Sequence, residues 1–349
     1  MRIEKVKARA AGRIPLAEVS GLTLAEDREG RAVLLAVGDR SGVVAWASLD
    51  EGGVGREWTT RDLDRRLGSV PEHGRAQLEA VAADGVGGVL LVQEWPNRAE
   101  YVAVDGPRVV AEISLVMPAG KDKNNKKDTK NKKDKKDRKG KKDKKGKKDA
   151  GKDRAGAGAA KVGERSAGAT RRLADSWADP KGSHTEGVVL LRDGHLLVVK
   201  EKDPAALVEF GPAGRAPRGF GPDQWLPAGE AFAVEEGSVE LTALAAWFPD
   251  RALQKACPDL SDAAASPTHL VLLSDKGRSV AVVPACAPAR DPFAGEFRAE
   301  VAFRVRGLPD KPEGLAVLPG GDVLIACDLP SAAMDNLVVV PRAVWEPVR

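Results

Sequence analysis

Aromatic residues make up only 4% of this 349-residue chain, and tyrosine occurs once. Cysteine occurs three times, at Cys257, Cys286 and Cys327, an odd number with no CxxC pair, which argues against a disulfide framework or a zinc ribbon. No stretch of 18 apolar residues exists, so no segment reads as a membrane-spanning helix. The opening MRIEKVKARAAGRIP carries charges where a secretory signal needs an apolar core, and the chain reads as cytoplasmic. P-loop, GxGxxG, HExxH and GxSxG patterns are all missing, so those mechanisms lack a starting motif. What is present is 42% hydrophobic residues, 37 glycines and 23 prolines. That mixture can build a sizeable core out of many short elements joined by turns.

One segment distorts the charge balance. Residues 121–154 hold 17 Lys, 2 Arg and 7 Asp, a net of +12 against +4 for the whole chain, which leaves −8 for everything else. The folded part is therefore acidic although the overall pI is about 8.8. With no apolar residue before Ala150, this run cannot offset its ordering entropy. Residues 119–169 are expected to form a disordered insertion in a single domain built from 1–118 and 170–349. Closure entropy grows only logarithmically with loop length, so such an insertion costs little. Its lysines suit a polyanion by counterion release, whereas the interspersed aspartates and absent aromatics favour a solvated spacer.

With the insertion set aside, one layout recurs five times. Ser20-Gly21-Leu22, Glu79-Ala80-Val81, Glu186-Gly187-Val188, Thr242-Ala243-Leu244 and Glu313-Gly314-Leu315 each lead to an apolar strand ending in an acid: Asp39, Glu94, Glu201, Asp275 and Asp328. A third apolar strand follows each hairpin: Val43–Trp46, Ala99–Val104, Ala206–Phe210, Ser279–Val283 and Asn336–Val340. Short strands repeating about every 60 residues, with turn residues between, predict an all-β fold, a β-propeller of five blades, with six also compatible with the count. Arg2–Ala8 is expected to supply the outer strand of the last blade and close the ring.

The acids carry the functional reading. Glu79/Glu94, Glu186/Glu201 and Glu313/Asp328 are each 15 residues apart, centred on turn signals such as Asp193-Gly194. That register sets the two acids opposite each other at the open end of each hairpin, about 5 Å apart. In a propeller the open ends of the innermost hairpins meet at one mouth of the central channel. Glu79, Glu94, Glu186, Glu201, Glu313, Asp328, Asp39 and Asp275 should gather there, beside Ser20, Thr242 and His184. Like charges so placed need compensation: a bound cation, a neighbouring Lys or Arg, or a proton held by a raised pKa. Oxygen-only donors suit a hard divalent cation, Ca²⁺ above all. Arg40, Lys200, Lys202 and Lys276 are the flanking cations that would serve a purely structural network. His195, just past its turn, is expected at the surface.

The stretches EGVVLLRDGHLLVVKEKDPAALVEFGP (186–212) and PEGLAVLPGGDVLIACD (312–328) resemble the SdiA-regulated and phytase-esterase-like β-propellers. That resemblance implies a divalent-metal site at the channel mouth, with Glu79, Glu186 and Glu313 at the positions matching the family's Glu-Gly strand entrance. Ser20 and Thr242 depart from that glutamate and lower the ligand charge. Three functions follow as expectations for a monomer: a cation-holding propeller with a small-molecule or protein ligand at its mouth, a metal-dependent hydrolase of a phosphate ester, carboxylic ester or lactone, or an interaction scaffold with a polyanion-binding basic arm.

Overall fold

A computed structural model describes residues 1–27, 29–39, 41–50, 53–63, 77–93, 97–103, 108–118, 168, 170–179 and 185–342. The Lys/Asp-rich segment lies outside the described residues. The chain starts with two short strands, β1 (Arg2–Lys7) and β2 (Arg9–Gly12), that belong to blades completed only at its end. Blade 1 comprises β3 (Val19–Glu26), β4 (Ala32–Gly38), β5 (Ser41–Asp50) and β6 (Gly53–Asp62). Blade 2 comprises β7 (Leu78–Ala83), β8 (Gly88–Gln93), β9 (Arg98–Ala103) and β10 (Arg108–Val116). After a helix α1 over 170–177, blade 3 follows with β11 (Thr185–Leu190), β12 (Leu196–Lys200), β13 (Ala206–Pro212) and β14 (Gly237–Pro249). A second helix, α2 (Arg251–Ala256), leads to blade 4: β15 (Asp262–Ala265), β16 (Leu270–Ser274), β17 (Ser279–Val283) and β19 (Val301–Arg306), with the short β18 (Gly295–Phe297) beside β14. Blade 5 is β20 (Lys311–Val317), β21 (Val323–Asp328), β22 (Leu337–Val340) and the returning β2.

The innermost strands β3, β7, β11, β15 and β20 abut one another in a closed ring around a central channel, giving five blades. The third strands expected from the sequence are β5, β9, β13, β17 and β22. Closure differs from expectation. Arg9–Gly12, not Arg2–Ala8, forms the last blade's outer strand, antiparallel to β22, while Arg2–Lys7 adds in parallel to β19 of blade 4. Each strand thereby covers an outer edge that would otherwise be open.

The core is a set of five layers, one between each pair of neighbouring blades. Successive side chains of a strand point to opposite faces, so every strand feeds two layers: Val188 and Leu190 pack towards blade 2, Val189 and Leu191 towards blade 4. Strands buried on both faces lose apolar/polar alternation, which is why the inner hairpins read as continuous apolar runs. Two layers are plugged from outside by large rings. Leu173 and Trp177 of α1 enter between blades 2 and 3, where the Trp177 indole N–H donates to the Leu115 carbonyl at 3.1 Å. Phe220 packs edge-on against Trp247 and Phe297 between blades 3 and 4. The outer edges of blades 2 and 3 pair with each other, β10 parallel to β14 from Ala111↔Gly237 to Val116↔Thr242.

Candidate functional site at the channel mouth

A β-bulge marks the start of four inner strands, and each bulge holds one of the anticipated residues. The register slips between Val19 and Gly21, Leu78 and Ala80, Thr185 and Gly187, and Pro312 and Gly314, so Ser20, Glu79, Glu186 and Glu313 are the extra residues. The small residue after each bulge is required by the next blade. A Cβ on Gly187 would lie 2.7 Å from Asp262 Oδ1 and 2.9 Å from the Ala263 nitrogen; one on Gly314 would lie 3.2 Å from the Leu22 nitrogen. The acid-glycine signature is thus partly a packing signature.

Thr242 is not at the mouth. It lies on β14, the outer strand of blade 3, paired with Val116 and Gly211. Ser261 takes its place in the ring. Its hydroxyl donates to the Pro312 carbonyl of the next blade at 2.9 Å, as the Ser20 hydroxyl donates to the Leu78 carbonyl. The entrance of blade 4 carries no strand signal because β15 is Asp-Ala-Ala-Ala, residues with little strand propensity, chosen by crowding in the inner ring. The apolar strand Thr242–Trp247 was the more visible signal, though it belongs to the blade before. Replacing Ser20 by Ala should cost about 1–2 kcal/mol, because it strands the buried Leu78 carbonyl; a urea midpoint equal to the parent's would show the latch to be idle.

Asp262 sits where the other blades have Gly or Ala. It is fully buried, its Oδ2 accepting from the Leu315 N–H at 2.6 Å and its Oδ1 from the Ala263 N–H at 2.7 Å, and burial pushes its carboxyl well above the usual range. It joins blades 4 and 5 by a side chain rather than by close backbone approach.

The bulges also correct the expected pairing of acids. Asp328 stands across the ladder from Lys311, not from Glu313. Lys311 Nζ is 3.2 Å from Asp328 and 3.6 Å from Glu313, so one ammonium serves both carboxylates of blade 5. In blade 3, Glu201 pairs with Lys202. Lys200 is completely buried and donates to the Lys202 carbonyl; burial pulls its ammonium down to about 8. Glu94 and His184 lie outside the described residues.

The acids nevertheless act on one another. Burial raises Glu313 to about 7, opposed by Lys311 and reinforced by Asp328, Asp275 and Asp39, which come from blades 5, 4 and 1. Asp275 is raised by burial and by Asp259, against Lys311 and Arg278. Asp259, which stands outside the repeated acid spacing, is fully buried and accepts from the Ser274 hydroxyl at 2.5 Å and the Lys276 N–H at 3.2 Å. Lys202 is raised through Glu201, Glu186 and Asp259, although its own partial burial opposes this. Asp39 Oδ1 is buried without a hydrogen-bond partner among the described residues. Acidic groups from blades 1, 3, 4 and 5 are therefore within electrostatic reach of one another at this mouth. Yet among the described residues no three His, Cys, Asp or Glu side chains are grouped as a metal shell.

Behind the mouth the channel encloses about 170 Å³, lined by the inner strands and by Trp225, whose indole N–H donates to the Ser266 carbonyl at 3.1 Å. His195 is buried rather than surface-facing: its Nδ1 is 2.7 Å from Glu209 Oε1, and Glu209 also accepts from the Arg218 and Gly219 N–H groups. The loop before β14 folds back over the hairpin end and covers it. Cys257 and Cys327 are buried among apolar neighbours, with both thiols pushed up to about 11 by burial.

No protein-family profile and no curated protein matches the chain. Among solved structures it is similar to glutaminyl cyclase of Myxococcus xanthus, at 11% identity over 97% of this chain and 98% of that one, TM-score 0.45. It is also similar to regucalcin, a calcium-binding protein of Agrobacterium tumefaciens, at 9% identity over 98% and 96%, TM-score 0.46. A third is the aldose sugar dehydrogenase of Streptomyces coelicolor in its PQQ-bound form, at 12% identity over 95% of each chain, TM-score 0.42. The propeller rests on this chain's own strand order; what those proteins bind remains a statement about them.

Proposed function

We propose that the acidic mouth takes up a hard divalent cation, Ca²⁺ in preference to Mg²⁺ or Zn²⁺, and that this is the protein's binding function. The observation that supports it best is the crowding of Asp328, Asp275 and Asp39 about Glu313, with Lys311 paired to both Glu313 and Asp328. The donors are all oxygens, as Ca²⁺ favours, and the buried Asp39 Oδ1, without a hydrogen-bond partner among the described residues, is one candidate ligand. Glu186, Glu79 and Glu201 would complete the negative field from the opposite side. Because Lys311 lies between two of the acids, the cation must displace its ammonium or sit apart from it with water completing the shell. Such a site belongs at the weak end of the calcium range, with a Kd of roughly 10⁻⁴–10⁻³ M.

Thermal unfolding tests this directly. After EDTA, millimolar Ca²⁺ should raise Tm by a few degrees, in keeping with the linkage of native-state binding to stability, and Mg²⁺ or Zn²⁺ should do less. An unchanged Tm with all three ions would leave the mouth as a salt-bridged structural network. The hydrolase reading depends on the same ion: turnover of generic phosphate or carboxylic esters should then require it.

A further inference from the structure

The five inner strands pair on their outward side only, each with the second strand of its own blade, so each turns one edge to the channel axis. The hairpin turns decide which main-chain groups lie on that edge. In an antiparallel ladder, residues that exchange hydrogen bonds alternate with residues whose N–H and C=O point the other way. In blade 3 the Leu191 N–H donates to the His195 carbonyl, so Val189 pairs outward with Leu197 while Val188 and Leu190 turn inward. Equivalent turn bonds from Asp27, Asp84, Ser266 and Leu318 set the same phase in the other blades. Counting back along each register places Leu22, Val81, Val188, Ala263 and Leu315 on the inward edges at one level, one from each blade. All five line the lumen of about 170 Å³, and no charged side chain does.

The chain itself shows what these edges accept. The Leu226 N–H donates to the Leu190 carbonyl at 3.1 Å and the Arg192 N–H to the Gln224 carbonyl at 3.0 Å. Residues 224–226 thus lie antiparallel on the inner edge of β11, and Trp225 and Leu226 form the floor of the lumen. Above this floor, Asp262 takes the N–H groups of Ala263 and Leu315. The N–H groups of Leu22, Val81 and Val188 have no such partner among the described residues. Buried main-chain groups are nearly always paired. From this we infer that the lumen binds a small neutral carboxamide, held by the main chain of the inner strands. An extended residue turns its N–H and C=O the same way, and a carboxamide carries its acceptor and donor side by side, so it meets both at once, as the amides of 224–226 do one step below. A carboxylate offers acceptors only and would bring a charge into an uncharged lumen; an ammonium offers donors only. At roughly 10–15 Å³ per water-sized probe, the space takes a molecule of about ten non-hydrogen atoms or fewer. This site is separate from the acidic mouth and does not depend on a cation there.

The test uses the full chain, labelled with ²H and ¹⁵N and held in EDTA, with malonamide as the probe and malonate and glycerol as its charged and hydroxylic counterparts. Malonamide should shift the backbone amide resonances of Leu22, Val81 and Val188 saturably in the millimolar range, as expected for so small a ligand. Its methylene protons should give intermolecular NOEs to those same amides. Malonate and glycerol at equal concentration should leave the three resonances in place. Saturating Ca²⁺ should change the malonamide affinity by less than about twofold, as for independent sites. Malonamide shifts scattered over surface amides, without NOEs to the inner strands, would overturn the proposal. Equal shifts with glycerol would overturn the amide class, and equal shifts with malonate the demand for neutrality. Malonamide binding abolished by Ca²⁺ would move the contact to the mouth and overturn a separate site.

Discussion

Asn336→Ala should lower stability by about 3 kcal/mol and loosen the ring at its closing seam. Asn336 is fully buried just before β22. Its Oδ1 accepts from the Ile14 N–H at 2.7 Å, and its Nδ2 donates to the Ile14 and Leu16 carbonyls at 3.2 and 3.3 Å. Those three backbone groups belong to the connector from β2 to β3, where the chain passes from the last blade into the first. Ile14 and Leu16 are themselves buried, so water cannot readily replace the amide. Each unmet buried group costs roughly 1–3 kcal/mol, and partial relaxation of the connector reduces the sum. Asn336→Asp should be no better, because it keeps an acceptor, loses both donors and adds a buried charge. Urea titration measures the loss, and amide exchange over Arg9–Gly12 should accelerate before exchange in the inner strands does. A midpoint shift worth under about 1 kcal/mol would show that the closing strand is held by other contacts.

Glu313→Gln should stabilise the metal-free protein at pH 8 by about 2–3 kcal/mol and leave it unchanged at pH 4. The sign follows from burial. Glu313 is raised to about 7 in the fold from an ordinary 4.5, so the folded chain holds this proton more tightly than the unfolded chain. Its favourable contribution is complete below about pH 4.5 and disappears as pH rises through about 7. Above that, an ionised carboxylate sits beside Asp328, Asp275 and Asp39, opposed by Lys311. Glutamine removes the charge and with it that slope. The side chain is 22% exposed, so solvent trims the effect below the full value of the shift. With saturating Ca²⁺ the variant's advantage at pH 8 should shrink, since the parent gains the ion's stabilisation and the variant loses a ligand. A variant that follows the parent's pH profile in EDTA would remove Glu313 from the acidic cluster. One that keeps the parent's full Ca²⁺ response would remove it from the ion.

These two positions differ in how visible they are in the sequence. Glu313 stands at a repeated spacing, before a glycine and 15 residues ahead of an acid, and the repeat alone marks it. Asn336 opens an apolar strand and shows nothing of its role, because its three partners lie about 320 residues away. Lys311 was hidden for a different reason. The turn holds three residues, 319–321, instead of two, and the bulge at Glu313 shifts the ladder by one more, so Lys311, instead of Glu313, stands across from Asp328. Counting residues from the turn assumes a regular ladder, and a bulge is the departure that such counting cannot register.

What the sequence determined by itself is the local layer of this protein. Apolar runs ending in acids, with Gly-containing turns at their centres, specify hairpins, and their recurrence specifies blades arranged in a ring. Such features need only neighbours along the chain. Tertiary structure decided which blade receives each distant strand, so that β2 rather than β1 completes the last one and Thr242 falls in an outer strand. It decided that Asp-Ala-Ala-Ala, not a β-branched run, opens blade 4, because crowding at the ring outweighs strand propensity there. It also buried His195 under a returning loop and gathered the acids of separate blades around Lys311. The physical reason is common to all of these: pairing partners, burial and field depend on groups brought close by ring closure, and separation along the chain carries no record of that proximity.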